Sequence, residues 1–335
     1  MDEVITLAHG AGGKASAWLI DEVFISAFGR DNPAELTDAA LLAASGRLAF
    51  STDSYVVNPI RFPGGSIGEL AVNGTVNDLA VSGARPQWLS AAFVIEEGLG
   101  MGELSAIVQA MAAAAKRAGV RIVTGDTKVV PRGAADKLFI TTAGIGLVPK
   151  SRMLGAGRIG AGDAVIGSGP IAGHGMAVLL ARGDLALDAD IRSDSAPLNG
   201  LVEALYAAGE PSAVRWMRDA TRGGLGTVAN ELARAAGLGI LLDDERIRID
   251  PVVRGACDML GIDPLYVANE GFFVAVVAAD AADAAVRALR GAGADQAGTI
   301  GQVIAEPPGI VAIRNAFGGT RLVDMMIGDP LPRIC

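Results

Sequence analysis

Residues 65–84 read GSIGELAVNGTVNDLAVSGA. Alanines and larger apolar residues recur there at helical spacing, which predicts a buried helix over most of 67–83. Asn73, Asn77 and Asp78 interrupt it. Polar groups in an otherwise apolar helix need a partner or line a site. A single cation would satisfy both Asn77 and Asp78.

Outward from this stretch the pattern alternates. An apolar run at 47–51 predicts a strand ending in Thr52-Asp53-Ser54, where a carboxylate is placed for Mg²⁺, a cation that prefers oxygen ligands. Pro63-Gly64-Gly65 is a turn signal. Downstream come a strand over 86–95 and a helix over 102–119, with Leu104, Ile107, Val108 and Met111 on one face. A strand over 120–123 follows, closed by Thr124-Gly125-Asp126-Thr127-Lys128. An acid and a lysine two residues apart beside a glycine suit a metal-bound phosphate. The run 138–147 is a further strand. Near the start, His9-Gly10-Ala11-Gly12-Gly13-Lys14 offers backbone N–H groups for phosphate, through Gly12 and Gly13. It is not a Walker loop, because Ala15 stands where that motif needs Ser or Thr.

The turn-rich stretch 149–161 marks a domain boundary. Beyond it we expect a strand at 164–167, a helix beginning within 176–182, helices at 199–207, 227–236, 251–260 and 280–291, and strands at 272–277 and 309–314. Arg218-Asp219-Ala220-Thr221-Arg222-Gly223-Gly224 combines an acid, two guanidiniums and two glycines. Glu270 abuts the apolar run at 272–277 and reads as a loop cap or an acid–base group. Gly10-x-Gly12-x-x-Ala15 matches G-x-G-x-x-A, a weak signal alone, and Gly167-x-Gly169-x-x-Ala172 matches it again, a poor dinucleotide fingerprint because Pro170 lies inside the turn and no clear ribose-binding acid stands about 20 residues on.

The 335 residues suffice for two cores. Hydrophobic residues make up 51%, aromatics 4%, and glycine numbers 45, as in an alanine-rich α/β protein with many tight turns. The net charge of -9 argues against a nucleic-acid surface. No basic leader and no long apolar run appear, so neither a signal peptide nor a membrane helix is expected, and the cytoplasm is the default. The two cysteines, Cys257 and Cys335, make no disulfide framework. Cys257 reads as a small core residue. Cys335 is the last residue, behind Pro330 and Pro332, in a tail expected to be extended and to lie outside the core. Such a tail could carry a thiol, and a group bound to it, into a cleft. Asp53, Asn77, Asp78, Asp126 and Asp219 stand beside glycines near element ends, positions that converge on one edge of a sheet in α/β folds.

HGAGGK, STDSY, NGTVNDLAVSGA, TGDTKVVPRGAADKLF, RDATRGGL, ANEG and the terminal PRIC together resemble the hydrogenase maturation factor HypE family, end to end. The wider group includes aminoimidazole ribonucleotide synthetase, formylglycinamidine synthetase and selenophosphate synthetase, which lack the terminal cysteine. The resemblance implies an α/β N-terminal domain (1–155) that binds ATP and pairs in a homodimer, an α+β C-terminal domain (156–317), and a flexible tail (318–335). It implies that a HypF-type carbamoyltransferase loads Cys335, that ATP drives dehydration of the S-carboxamide to a thiocyanate, and that cyanide passes to iron on a HypC–HypD complex. ATP contacts are then expected from Gly12, Gly13, Asp53, Asn77, Asp78, Gly125, Asp126, Thr127 and Lys128. Mg²⁺ is expected on Asp53, Asp78, Asp126 and Asp219, with Lys128 and Glu270 as proton-transfer candidates. Three other readings compete: phosphorylation of a free amide or selenide, a nicotinamide oxidoreductase built on the glycine motifs, and a scaffold that only presents a thiol.

Overall fold

The computed structural model describes residues 3–29, 39–183, 185, 187, 189–326 and 333–335. Its first half is a four-stranded sheet made of β1 (Arg47–Tyr55), β2 (Arg85–Glu96), β3 (Arg121–Val130) and β4 (Leu138–Val148). The spatial order is β1-β4-β2-β3. β4 pairs antiparallel with both β1 and β2, and β2 runs parallel to β3. One face is covered by α1 (Ile67–Val81), which itself packs on α2 (Met101–Ala118). α2 ends at Gly119 in the left-handed conformation, the helix stop that the sequence indicated.

α1 is buried on all sides; only Glu69 and Asp78 of its residues are not. An all-round apolar helix belongs between two layers, and α1 lies between the first sheet and the second half of the chain. Two glycines permit the close approach. A Cβ at Gly68 would strike the Ile107 carbonyl, and one at Gly74 would strike the Tyr55 hydroxyl.

The second half holds a seven-stranded sheet: β5 (Ala164–Gly167), β6 (Val214–Asp219), β7 (Gly239–Asp243), β8 (Phe273–Val277), β9 (Gly298–Ile304), β10 (Val311–Arg314) and β11 (Thr320–Leu322). The order is β11-β10-β7-β9-β5-β8-β6. Its helices are α3 (Gly173–Ala181), α4 (Asn199–Ala207), α5 (Gly224–Ala236), α6 (Pro251–Leu260) and α7 (Ala282–Gly291). β8 is buried on both faces: Val274 and Val276 join the core that continues into the first domain, while Phe273, Ala275 and Val277 join the core under α4 and α7. That explains its unbroken apolar sequence. Arg152, from the boundary stretch, donates to both Glu203 oxygens on α4 at 2.6 Å and lies 4.1 Å over the Tyr206 ring.

The strand at 164–167 and the helices at 199–207 and 251–260 have the expected bounds. Two strands are longer than expected. β1 runs on through Asp53 to Tyr55, and β3 runs on through Gly125–Lys128 to Val130, so neither motif is a loop. The tail expected from residue 318 starts later, because Thr320–Leu322 pair with β10 and Val323 is buried and bonded to Val311. The extended reading of Pro330 and Pro332 lies outside the described residues.

Candidate active site

Strand parity decides which side chains meet. The Ser51 hydroxyl donates to Asp78 Oδ2 on α1 at 2.6 Å, so Ser51, and with it Asp53 and Tyr55, point to the helix-covered face of β1. Asp78 and Asp219 line one cavity of about 400 Å³ together with Ser51 and Arg218. Asp219 is 7% exposed and its Oδ2 has no hydrogen-bond partner. Burial, and next the charge of Asp78, push its carboxyl up to about 7. Burial likewise raises Asp78, opposed by the Ser51 hydroxyl and reinforced by Asp53. Glu270, 3% exposed, is raised well above the usual range by burial first, then by Asp219, Asp194, Asp53 and Asp78. Four of the expected residues, Asp53, Asp78, Asp219 and Glu270, therefore form one electrostatically coupled group. Carboxyls whose proton affinity is raised, as those of Asp78, Asp219 and Glu270 are, can exchange protons with a substrate, or become ligands when a cation enters.

Glu270 reaches this group from the second domain because its backbone is pinned twice. The N–H groups of Glu270 and Gly271 donate to the two oxygens of Asp194 at 3.1 and 3.2 Å. Asn77 supplies the other pin, and this revises its expected contact with ATP. Its Nδ2 donates to the carbonyls of Ala196 and Glu270, both at 3.1 Å, and its Oδ1 accepts from Leu198 N–H at 2.8 Å. The side chain is 1% exposed and occupied by protein, so it braces the site across the domains.

Asp126 and Lys128 are a second revision. Asp126 follows Gly125, whose partner Ala91 is buried on the helix-covered face, so Asp126 points to the opposite, open face. It is also on the far edge strand. The register runs Asp53–Thr142–Ala91–Gly125, three inter-strand steps of about 4.8 Å, or roughly 14 Å. Within one chain, Asp126 thus cannot share a cation with Asp53. It is bonded instead to Lys128 at 2.8 Å, and that lysine, opposed by burial and helped by the Thr127 N–H, holds its carboxyl below the usual range. Thr127 points the other way, like its partner Phe93. The loop carrying Gly12 and Gly13 lies against this same edge, with Gly10 packed on Val129. Both glycines are exposed, and Gly12 N–H donates to Ser16 Oγ at 2.9 Å.

The C-terminus docks at the first group. Cys335 lines a cavity of about 450 Å³ with Thr52, Asp53, Arg222, Gly223 and Tyr266. Val56 N–H donates to Cys335 O at 3.1 Å and Asn58 N–H to Arg333 O at 3.4 Å, an antiparallel pairing. Arg333 donates to Val56 O at 3.0 Å and to Asp136 at 2.8 Å. Ile334 is 4% exposed and belongs to the main core, so the end of the chain does not lie outside the core as expected.

A thiol-bearing terminus, seated in a cavity with Asp53 and two domains' loops around it, invites comparison with known proteins. The models for the AIR synthase related protein N-terminal and C-terminal domains match residues 36–148 and 160–314. Carbamoyl dehydratase HypE of Rhodobacter capsulatus is 53% identical over 341 residues, covering 100% of this chain and 99% of the relative. This chain belongs to the HypE family. Within that family, a crystal structure of hydrogenase maturation protein HypE in complex with ATP is 45% identical, with a TM-score of 0.92 over 98% of this chain and 99% of that one. A HypE–HypF complex matches with a TM-score of 0.80 at 45% identity, over 92% of this chain and 99% of that chain.

Among the described residues, no three His, Cys, Asp or Glu side chains are grouped to hold a metal by themselves, and no helix is long and apolar enough to cross a membrane. The sequence reading missed Asp194 and His174. Asp194 lies 76 residues from Glu270, and no local pattern foretells that contact.

Proposed function

We propose that this chain is an ATP-dependent carbamoyl dehydratase of hydrogenase maturation that acts on its own Cys335. The observation that carries the reading is the terminal thiol in a cavity with Asp53 and Arg222, Asp53 being coupled in turn to Glu270 and Asp219. The family's members named carbamoyl dehydratase, and the ATP complex, support the same chemistry for this chain. The free amide or selenide kinase reading offers no use for a docked terminal cysteine.

The S-carboxamide is an amide, and its oxygen leaves poorly until it is phosphorylated. The amide oxygen attacks the γ-phosphorus of ATP, ADP departs, and an N–H proton is released. Loss of phosphate with the second N–H proton then gives the thiocyanate, so the net products are ADP, phosphate and R–S–C≡N. Burial first, and then its acidic neighbours, raise the proton affinity of Glu270, so in its ionised form, which a cation bound among those acids would favour, it suits the role of proton acceptor. Arg222, which lines the cavity of Cys335, suits phosphate oxygens, whereas Arg218 lines the Asp78–Asp219 cavity and is paired with Glu231 at 2.6 Å.

Mg²⁺ would be held by Asp78 and Asp219, which line one cavity, together with phosphate oxygens and waters, with Asp53 close enough to add its charge. The Asp219 Oδ2, without a hydrogen-bond partner among the described residues, fits such a ligand role. When bound, the cation neutralises charge on the transferring phosphoryl group. Asp126 and Lys128 enter through a homodimer. The open face of the first sheet carries Leu48 and Phe50, the latter 70% exposed, and a second copy packed there buries them. HypF-type and HypC–HypD partners then exchange groups with the thiol.

The test is the mass of the C-terminal peptide of carbamoylated protein before and after ATP. Loss of one water, abolished by Cys335→Ala, is expected. Unchanged mass in the wild-type chain with ATP hydrolysed would sink the reading.

A further inference from the structure

His174 is fully buried at the start of α3 and has no place in the chemistry above. Its Nε2 lies 2.9 Å from the carbonyl oxygen of Ile334, the residue before the thiol, and its Nδ1 lies 2.8 Å from Ser193 Oγ. A carbonyl only accepts, so Nε2 carries the proton and Nδ1 accepts from the serine. Ser193 Oγ in turn accepts from Ser195 N–H at 3.1 Å. The ring stands edge-on to Phe62 at 5.4 Å, and burial lowers its pKa to about 4, so it is neutral at physiological pH.

We propose that His174, held in one tautomer by Ser193, is the positioning residue that latches the thiol-bearing end of the chain in the active site. The other tail contacts, from Val56, Asn58, Arg182 and Asp136, involve residues that water reaches. The His174 contact is different because both partners are buried. Withdrawal of Ile334 leaves an N–H in apolar surroundings without a partner, a cost the docked state avoids. Docking and undocking thus become two distinct states. The latch grips the backbone of residue 334, so it holds the tail whatever group the sulfur bears. It is also joined to the catalytic side: the backbone N–H groups of His174, Glu270 and Gly271 all donate to Asp194, the neighbour of Ser193. The segment 193–195 therefore sets the tail and Glu270 against one another.

The inference rests on the dehydratase reading for its purpose, but its test does not need turnover. The full-length chain is alkylated with iodoacetamide and labelling of Cys335 is timed by peptide mass, with the buried Cys257 as the internal control for unfolding. His174→Gln keeps a donor at the Nε2 position, whereas His174→Asn keeps only the Nδ1 position. Labelling of Cys335 is expected to rise about tenfold in His174→Asn, the shift a lost buried hydrogen bond produces, and to stay near wild type in His174→Gln. Equal rates in wild type and His174→Asn, or a Gln variant as fast as the Asn variant, overturn the latch. If Cys257 labelling shows that His174→Asn does not fold, Ser193→Ala decides. It frees the ring proton to move to Nδ1 and is expected to speed Cys335 labelling at least about twofold; no change there overturns the proposal. On carbamoylated protein, His174→Asn is expected to slow single-turnover dehydration about tenfold with ATP affinity unchanged, and Gln to restore it. If wild-type protein loses no water while the labelling pattern holds, the dehydratase reading fails and the latch stands.

Discussion

The two edges of the first sheet carry the same residue types and behave oppositely. At the β1 edge, Asp53 joins Asp78, Asp219 and Glu270, where burial and crowding raise the last three carboxyls. At the β3 edge, Asp126 is exposed, paired with Lys128 and held below the usual range. One group is a store of unmet charge that a ligand can satisfy. The other is already satisfied at the surface. The difference comes from parity and layer, because α1 and the second domain cover one face of the sheet and leave the other open.

The comparison can be broken first at Glu270. Glu270→Gln keeps size and hydrogen bonding but loses the base, so single-turnover dehydration should slow by roughly 10²-fold or more with ATP still bound. A wild-type rate would leave Glu270 a structural role only. Next, Asp78→Ala should weaken Mg·ATP binding in calorimetric titration about tenfold, the scale of one lost charged contact. Asp126→Ala, measured beside it on dilute monomer, should change affinity far less. If both fall equally at every protein concentration, the separation of the two groups does not hold in the working enzyme.

How much of this could be read from residues alone depends on the range of the interaction. β8 was legible because an unbroken apolar run bounded by glycine is a buried strand. β7 and β9 were not. Leu241 and Leu242 continue an apolar run after α5, and the GTIGQVI of β9 is broken by glycines, one of which lets the strand pass the Leu241 backbone. Asp53, Asp78, Asp219 and Glu270 were each recognisable as acids near glycines. A convergence on one sheet edge was expected of Asp53, Asp78 and Asp219, but with Asp126 among them; the separation of Asp126 was not legible, because it turns on two strands running several residues past their motifs. Asn77 was rightly singled out as a polar residue needing a partner, but the partners lie at residues 196, 198 and 270.

A smaller effect sharpens the contrast through pH. Asp194 is raised to about 6 by burial, against the pull of backbone N–H groups. The folded chain then keeps a proton that the unfolded chain releases near 3.8, so this group's contribution to stability is full below that value and declines as pH rises to about 6. Asp194→Asn should flatten the fall in melting temperature across that window; an unaltered slope would reassign the proton. Smallest of all, Asp126→Asn should move the melting temperature by no more than about a degree or two, since exposed ion pairs contribute little.

Asn77 has a mechanical consequence. It is rooted in a helix of the first domain and holds three backbone groups of the second, so it ties the two domains together beside Glu270. Parting the domains there would break all three of these hydrogen bonds at once. Moving the end of the chain asks for no such break, so the substrate is drawn in on the enzyme's own last residues.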